Sequence, residues 1–365
     1  MIKLHIIQAE FGDCFILESK SYNESTTILI DGGPYQTFTN HLRPTIQKLL
    51  LNGEIDLMVL SRIDNDHIIG LLDLLNEIKN QRESGTKELV KIKKMWHNSF
   101  KDLLQLSDEP NKLFLNIFPD QSLIKNKNVM ESIIMKGFQQ GTDLTTLAKS
   151  LKIPINSGFD KVIEVEDNIR STRLKNINLH IIGPTKKNLE KLRKEWNDWF
   201  TKKQQTEKTE SGLIQILDKS VPNLASIMFF AEIQNRKILF TGDGLGPNVI
   251  DILSKNALLD QNGKFYVDVL KVPHHGSDRN TSLEFFNTVN AKYYIISANG
   301  RDDNPSLNTL KWIIESRKTD SSPKKIILTN MTPNVKKVLQ EYDQSKFNYE
   351  SIVLEKKDDF LTINI

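Results

Sequence analysis

Ile55-Asp56-Leu57-Met58-Val59-Leu60-Ser61-Arg62-Ile63-Asp64-Asn65-Asp66-His67 decides the reading of this chain. An apolar run of strand length ends in a polar loop carrying two aspartates and a histidine. Ile68 to Lys79 then places apolar residues at helical spacing, so the loop falls at a helix N-terminus, where polar backbone groups favour anionic oxygens. Carboxylates and imidazoles at strand ends suit a zinc-type site, because the rigid backbone lets side chains converge in one cleft. An Asp-x-Asp in a polar loop is also an ordinary turn or cap, so the loop alone carries little.

Working outward, Ile30-Asp31-Gly32-Gly33 lies upstream, and Thr241-Gly242-Asp243-Gly244 and Lys271-Val272-Pro273-His274-His275-Gly276-Ser277 lie downstream. Ile2 to Ile7, Cys14 to Glu18 and Thr26 to Ile30 read as opening antiparallel strands, followed by a helix from about Thr39 to Leu51. Val90 to Trp96 reads as a strand ending in Trp96-His97-Asn98-Ser99. Residues 101–173 read as a mainly helical insertion covering the cleft. Further strands are expected at 179–184, 226–231, 237–241, 267–272, 293–297 and 325–328. Lys186 to Lys203 reads as an amphipathic helix with Leu189, Leu192, Trp196 and Trp199 on one stripe, and 201–212 as a mobile linker.

Together these elements, with Gly12-Asp13-Cys14-Phe15 near the start, resemble the metallo-β-lactamase fold. Within it they are most similar to stand-alone relatives of the hydrolase domain in competence proteins of the DNA-uptake type. The resemblance spans nearly the whole chain and implies an α/β class, a four-layered αββα sandwich forming one domain over residues 1–365. The family's first metal motif is His-x-His-x-Asp-His, often with Asp at the second His in the competence branch. Here the positions read Arg62, Asp64, Asp66 and His67.

The resemblance implies that Asp66 and His67 bind one metal together with Asp243 and a histidine from the pair His274 and His275. Asp64, the shared Asp243 and His97 would serve a second metal, which has lost a ligand to Arg62. A guanidinium stays protonated and offers no lone pair, so it cannot bind a cation; it can bind a phosphate oxygen. The implied cofactor is Zn2+, one ion or two, with Mn2+ as the alternative. Asp66 or Asp64 would accept a proton from the attacking water, and Arg62, Ser277 and Asn304 would touch substrate. Asn304 stands where many relatives carry a histidine before proline. Asp31, Asn223 and Ser226 are expected to brace the site. His5, His41 and His180 lack metal-binding neighbours in sequence and read as structural.

The implied reaction is metal-dependent hydrolysis of a phosphodiester, a nuclease activity first. The rival is a catalytically weakened binding or regulatory subunit, since similar stand-alone proteins occur in multi-gene bacterial anti-phage systems and a protein partner is implied there. Composition bounds this loosely. Forty-nine Lys and Arg against 46 Asp and Glu give a net charge of +3, too small to argue for nucleic acid. Lys186, Lys187, Lys191, Arg193, Lys194, Lys202 and Lys203 could track a backbone, but Glu190, Glu195 and Asp198 among them fit a solvated helix face. A single cysteine excludes an internal disulfide, Cys14 reads as a small buried residue, and no apolar run reaches membrane length. A cytoplasmic protein without membrane contact is expected.

Overall fold

β1 (Ile2–Ile7), β2 (Phe15–Lys20) and β3 (Ser25–Ile30) form an antiparallel meander, in register from Leu4 opposite Leu17 to Leu17 opposite Ile28. The computed structural model describes residues 1–50, 53–105, 129–205, 222–316, 322–355 and 357–365. After a helical turn at Phe38–Leu42 come α1 (Arg43–Leu49), β4 (Glu54–Ile55), β5 (Leu57–Val59), α2 (Asn65–Glu83), β6 (Lys91–Ile92) and β7 (Met95–Trp96). β5 and β7 add to β3 in parallel, while β4 and β6 pair separately. The C-terminal strand β16 (Phe360–Asn364) closes the far edge, giving the order β16-β1-β2-β3-β5-β7.

Alternation along these strands explains their burial on both faces. Phe15, Leu17, Ile28 and Ile30 point into one core, and Ile16, Leu29 and Met58 into another with Leu71, Leu74 and Leu75 of α2. The first core is shared with a second sheet, ordered β15-β14-β13-β12-β11-β10-β9-β8. Its members are β8 (Arg170–Leu174), β9 (Ile177–Gly183), β10 (Met228–Ile233), β11 (Arg236–Phe240), β12 (Phe265–Lys271), β13 (Val289–Ile296), β14 (Lys324–Leu328) and β15 (Tyr349–Val353). Between the sheets Phe15 meets Phe240 at 6.1 Å and Trp96 meets Phe229 edge-on at 5.8 Å.

β8 to β11 are antiparallel and β11 to β15 parallel. Parallel neighbours need crossovers. α6 (Gly246–Lys255), α7 (Leu283–Thr288), α8 (Leu307–Glu315) and α9 (Pro333–Glu341) supply them, burying Val249, Phe285, Leu310 and Val335.

Several expectations are refined. The segment 101–173 is helical at α3 (Phe100–Leu103) and α4 (Val129–Ser150), but turns follow from 151 and β8 begins at Arg170. Arg170, Ser171 and Thr172 are exposed and pair only with β9, so the strand has no apolar alternation to announce it. Val90 to Trp96 divides into β6 and β7. α5 (Lys186–Gln205) extends into the expected linker, whose residues 206–212 lie outside the described residues. Leu189 and Leu192 are buried as expected; the side chains of Trp196 and Trp199 lie outside the described residues. Among the described residues no helix is long and apolar enough to cross a membrane.

Candidate metal centre

The parallel strands of both sheets run toward one rim, and their C-terminal ends supply the site. β3 delivers Asp31, β5 leads into Ser61 and Arg62, β11 into Asp243, and β12 ends at Lys271 before His274 and His275. The β1–β2 connection brings Asp13 to the same place. Its backbone N–H donates to the Asp66 carbonyl at 3.1 Å. Gly12 makes this approach feasible, because a Cβ there would lie 2.0 Å from that carbonyl oxygen.

Asp13, His67, Asp243 and His275 are all buried, and each presents one ligand atom within 4.8 Å of the others. The two imidazoles are set alike. His67 Nδ1 is 2.9 Å from Asp31 Oδ2, and His275 Nδ1 is 3.0 Å from the Ser297 carbonyl. A carboxylate and a carbonyl only accept, so each Nδ1 carries a proton and each Nε2 is left facing the carboxylates of the cluster, free to serve as a ligand once its own proton is lost. Asp31 is itself fixed by the backbone N–H and hydroxyl of Ser61, both at 2.7 Å. It therefore orients the loop as expected and also sets the tautomer of His67.

Backbone conformation separates the histidine pair. His274 and His275 both adopt left-handed φ values, 47° and 54°. Successive left-handed residues split the rings: His275 goes inward, while His274 stays 29% exposed at the rim with Nδ1 2.7 Å from Asn280 Oδ1 and Nε2 3.7 Å from Asp243 Oδ2.

Cations and carboxylates alternate through the cluster. Lys271, 1% exposed, pairs with Asp13, donates to the Gly242 carbonyl at 2.9 Å and lies 3.8 Å from Asp243 Oδ1. Arg62 contacts Asp64, Asn223 and, at 2.7 Å, Asp243 Oδ2. Burial would raise the Asp243 carboxyl, but His274, His67, His275 and Arg62 together hold it well below the usual carboxylate range. Burial likewise opposes protonation of His275, yet Asp243, Asp13 and Asp66 push it up to about 9. His67 is driven up against burial by Asp243, Asp66 and Asp31. Asp66 stays low despite burial because His67 and His275 face it. Anionic oxygens here call for positive charge.

Of the residues singled out in the sequence, His67, Asp243 and His275 meet in this cluster. Asp66 joins from its edge, with Oδ2 3.2 Å from His275 Nε2 and 3.8 Å from His67 Nε2. Asp64 holds the N-cap position of α2, but its side chain makes no capping bond and turns to Arg62. His97 is buried outside the cluster, and burial pushes its pKa down to about 4. Ser277 is 6% exposed, its hydroxyl accepting from Arg279 N and its carbonyl from Thr281 Oγ1, so it shapes a turn. Asn304 closes the turn Arg301–Asp303, and the following Pro305 packs against Gly276. Asn223 braces Arg62 and His274, and the Ser226 N–H bonds the Asn223 carbonyl at 3.3 Å.

The other histidines have partners of their own: His5 with Glu18 at 2.8 Å, His41 with Asp359 at 3.0 Å and His180 stacked on Phe230. Cys14 is buried, and burial, then Asp31 and Asp13, raise its thiol well above the ordinary value, leaving it unreactive.

Asp13 and Lys271 were not assigned roles from sequence. Both lie inside the quoted motifs, and their signal was a charged residue embedded in an otherwise apolar strand or strand end. No protein-family model matches this chain, and no curated protein matches it.

Proposed function

We propose that this chain is a metal-dependent hydrolase with the four-layered αββα arrangement of the metallo-β-lactamase fold, acting on phosphodiesters and most naturally on nucleic acid. The observation that carries the reading is the buried quartet Asp13, His67, Asp243 and His275. A metal fits it chemically: Asp13 Oδ1, Asp243 Oδ1 and His67 Nε2 are buried without a hydrogen-bond partner, while Asp13 Oδ2 is held by Lys271. Four N and O donors suit Zn2+, and the carboxylates also suit Mn2+. When bound, the ion supplies Lewis acidity, acidifying water and polarising a phosphoryl oxygen.

The chain's own groups divide the remaining work. Asp66, 22% exposed and at the open edge of the quartet, accepts the proton of the attacking water at its free carboxylate oxygen. Arg62 faces the cluster and offers its guanidinium to the non-bridging phosphate oxygens, which favours an active hydrolase over a weakened binding subunit. His274, at the rim and braced by Asn280 and Asn223, meets substrate from the other side. Lys271 lies too deep to touch substrate and holds Asp13 and the Gly242 turn.

A nucleic-acid substrate accords with α5, which packs Leu189 and Leu192 against Leu103 and Ala225 beside Ile63 of the site loop and leaves Lys187, Lys191 and Lys194 exposed. A cytoplasmic setting, a protein partner and a place in an anti-phage system belong to the same reading. The test is metal content per chain together with cleavage of single-stranded DNA, double-stranded DNA and a simple phosphodiester, in wild type and Asp243→Ala. Bound metal with cleavage lost in the variant supports the hydrolase. Bound metal without turnover on any substrate supports the regulatory subunit, and absence of metal sinks the site.

A further inference from the structure

We propose that Arg62 is the built-in second cation of this centre, so that the chain binds one divalent ion and no more. The inference rests on the hydrolase reading above and concerns how its charge is balanced.

The two oxygens of Asp243 face different neighbours. Oδ1 lies on the inner side with His275 Nε2 at 3.6 Å and Lys271 Nζ at 3.8 Å. Oδ2 lies on the outer side with Arg62 at 2.7 Å, His67 Nε2 at 3.3 Å and His274 Nε2 at 3.7 Å. On that outer side Asp64, which is 36% exposed, and Asp243 both face Arg62, and His274 stands at the rim beside Asp243. A second divalent ion on this side would have to draw on the carboxylates of Asp64 and Asp243. Arg62 already occupies that space, bridging Asp64 and Asp243 with Asn223 as a third partner.

Its guanidinium keeps its proton under all ordinary conditions, so the space holds a fixed positive charge. The aspartates Asp13, Asp31, Asp64, Asp66 and Asp243 oppose Arg62 and Lys271, leaving a charge of −3 once His67 and His275 give up the extra protons that metal ligation displaces. One divalent ion in the quartet brings this to −1. A second would make the site positive and force Arg62 out of three contacts. A guanidinium also differs from a metal in what it offers a substrate: it donates two parallel hydrogen bonds to a phosphate and does not exchange with solvent ions. The site should therefore respond to one metal-binding event, with no second, weaker ion required.

The experiment is a titration of chelator-stripped full-length chain with Mn2+ and with Zn2+, read by calorimetry and by elemental analysis of the bound metal. Wild type and Arg62→Lys are expected to take one equivalent. Arg62→His, which swaps the fixed charge for a lone pair between Asp64 and Asp243, is expected to take two, the second lost again in Arg62→His with Asp64→Ala. Two equivalents in wild type would overturn the proposal while leaving the metal centre standing, as would a folded Arg62→His that takes one. Two equivalents in Arg62→Lys overturn it even where Arg62→His fails to fold. No equivalent in wild type removes the centre itself and this inference with it.

Discussion

Asp13 holds two roles that a substitution separates. It offers a ligand oxygen to the quartet, and it neutralises Lys271, whose ammonium is almost fully removed from water. Breaking a buried pair from one side leaves the other charge uncompensated, a cost of about 3–5 kcal/mol. Asp13→Ala should therefore lower the midpoint of urea unfolding even in the presence of chelator, whereas Asp13→Ala with Lys271→Met should recover most of that loss without recovering metal. Asp31→Asn acts one step further out. It cannot accept equally from Ser61 and His67, and changes of this kind typically cost about 10–100-fold in metal affinity. A competition titration against a coloured chelator measures it, and unchanged affinity would remove Asp31 from the centre.

His97 gives the pH prediction. Its imidazole is held neutral by burial, with a folded pKa of about 4 against about 6.5 in an unfolded chain. The folded state thus binds fewer protons between these values. The contribution to stability is complete above pH ~6.5 and is lost as the pH falls toward 4, amounting to roughly 2 kcal/mol at pH 5. Wild type should lose more stability than His97→Gln between pH 7 and pH 5 in denaturant titrations; parallel curves would show that His97 does not titrate as described.

At the scale of elements, the approach of α2 to the sheet is decided by two facing glycines. A Cβ on Gly70 would lie 1.9 Å from the Gly32 carbonyl oxygen, and one on Gly32 would lie 2.4 Å from Leu71 N. Gly70→Ala must push back the helix that carries Asp66 and His67, costing about 1–3 kcal/mol and weakening metal binding in the same variant. Thr332→Ala is the matching control. Thr332 caps α9 by accepting from Val335 N, so its loss should cost about 1 kcal/mol and leave metal affinity unchanged. Differential scanning calorimetry with and without metal distinguishes the two.

The contrast also shows what the chain made legible. Asp31, the Asp64 to His67 loop, Asp243 and the histidine pair stand at the ends of clear apolar runs, and periodicity locates such ends well. β4, β6 and β7 are two residues each, too short to show a period. β16 alternates weakly and earns its place by pairing with β1, a contact across the whole length of the chain. Asp13 and Lys271 were hidden for a related reason. Their importance lies in pairing with each other, and sequence distance conceals a buried ion pair between residue 13 and residue 271. His97 is the opposite case: a histidine at a strand end suggested a ligand, and its side chain is set apart from the quartet, with burial outweighing the pull of Asp102 and holding it neutral.

Taken as a whole molecule, the first sheet supplies His67 and Asp13 and the second supplies Asp243 and His275, so the centre spans the shared core. Ion binding should therefore tighten the entire fold. At 100 times the dissociation constant, a ligand specific to the folded state adds about 2.7 kcal/mol. Chelation should lower the unfolding temperature as a single transition, not as the melting of one sheet ahead of the other.

The strand directions that gather the site at one rim leave connecting turns at the opposite rim. There lie the turn at Ser21–Glu24, with Tyr22 fully exposed, the tight reversal at Gln234 and Asn235, and the loop through Gly263. These turns are natural attachment points. A cysteine or short tag placed at residue 22 or 263 would let the molecule be fixed to a surface or carry a dye with its mouth facing outward, so that substrate capture could be followed one molecule at a time.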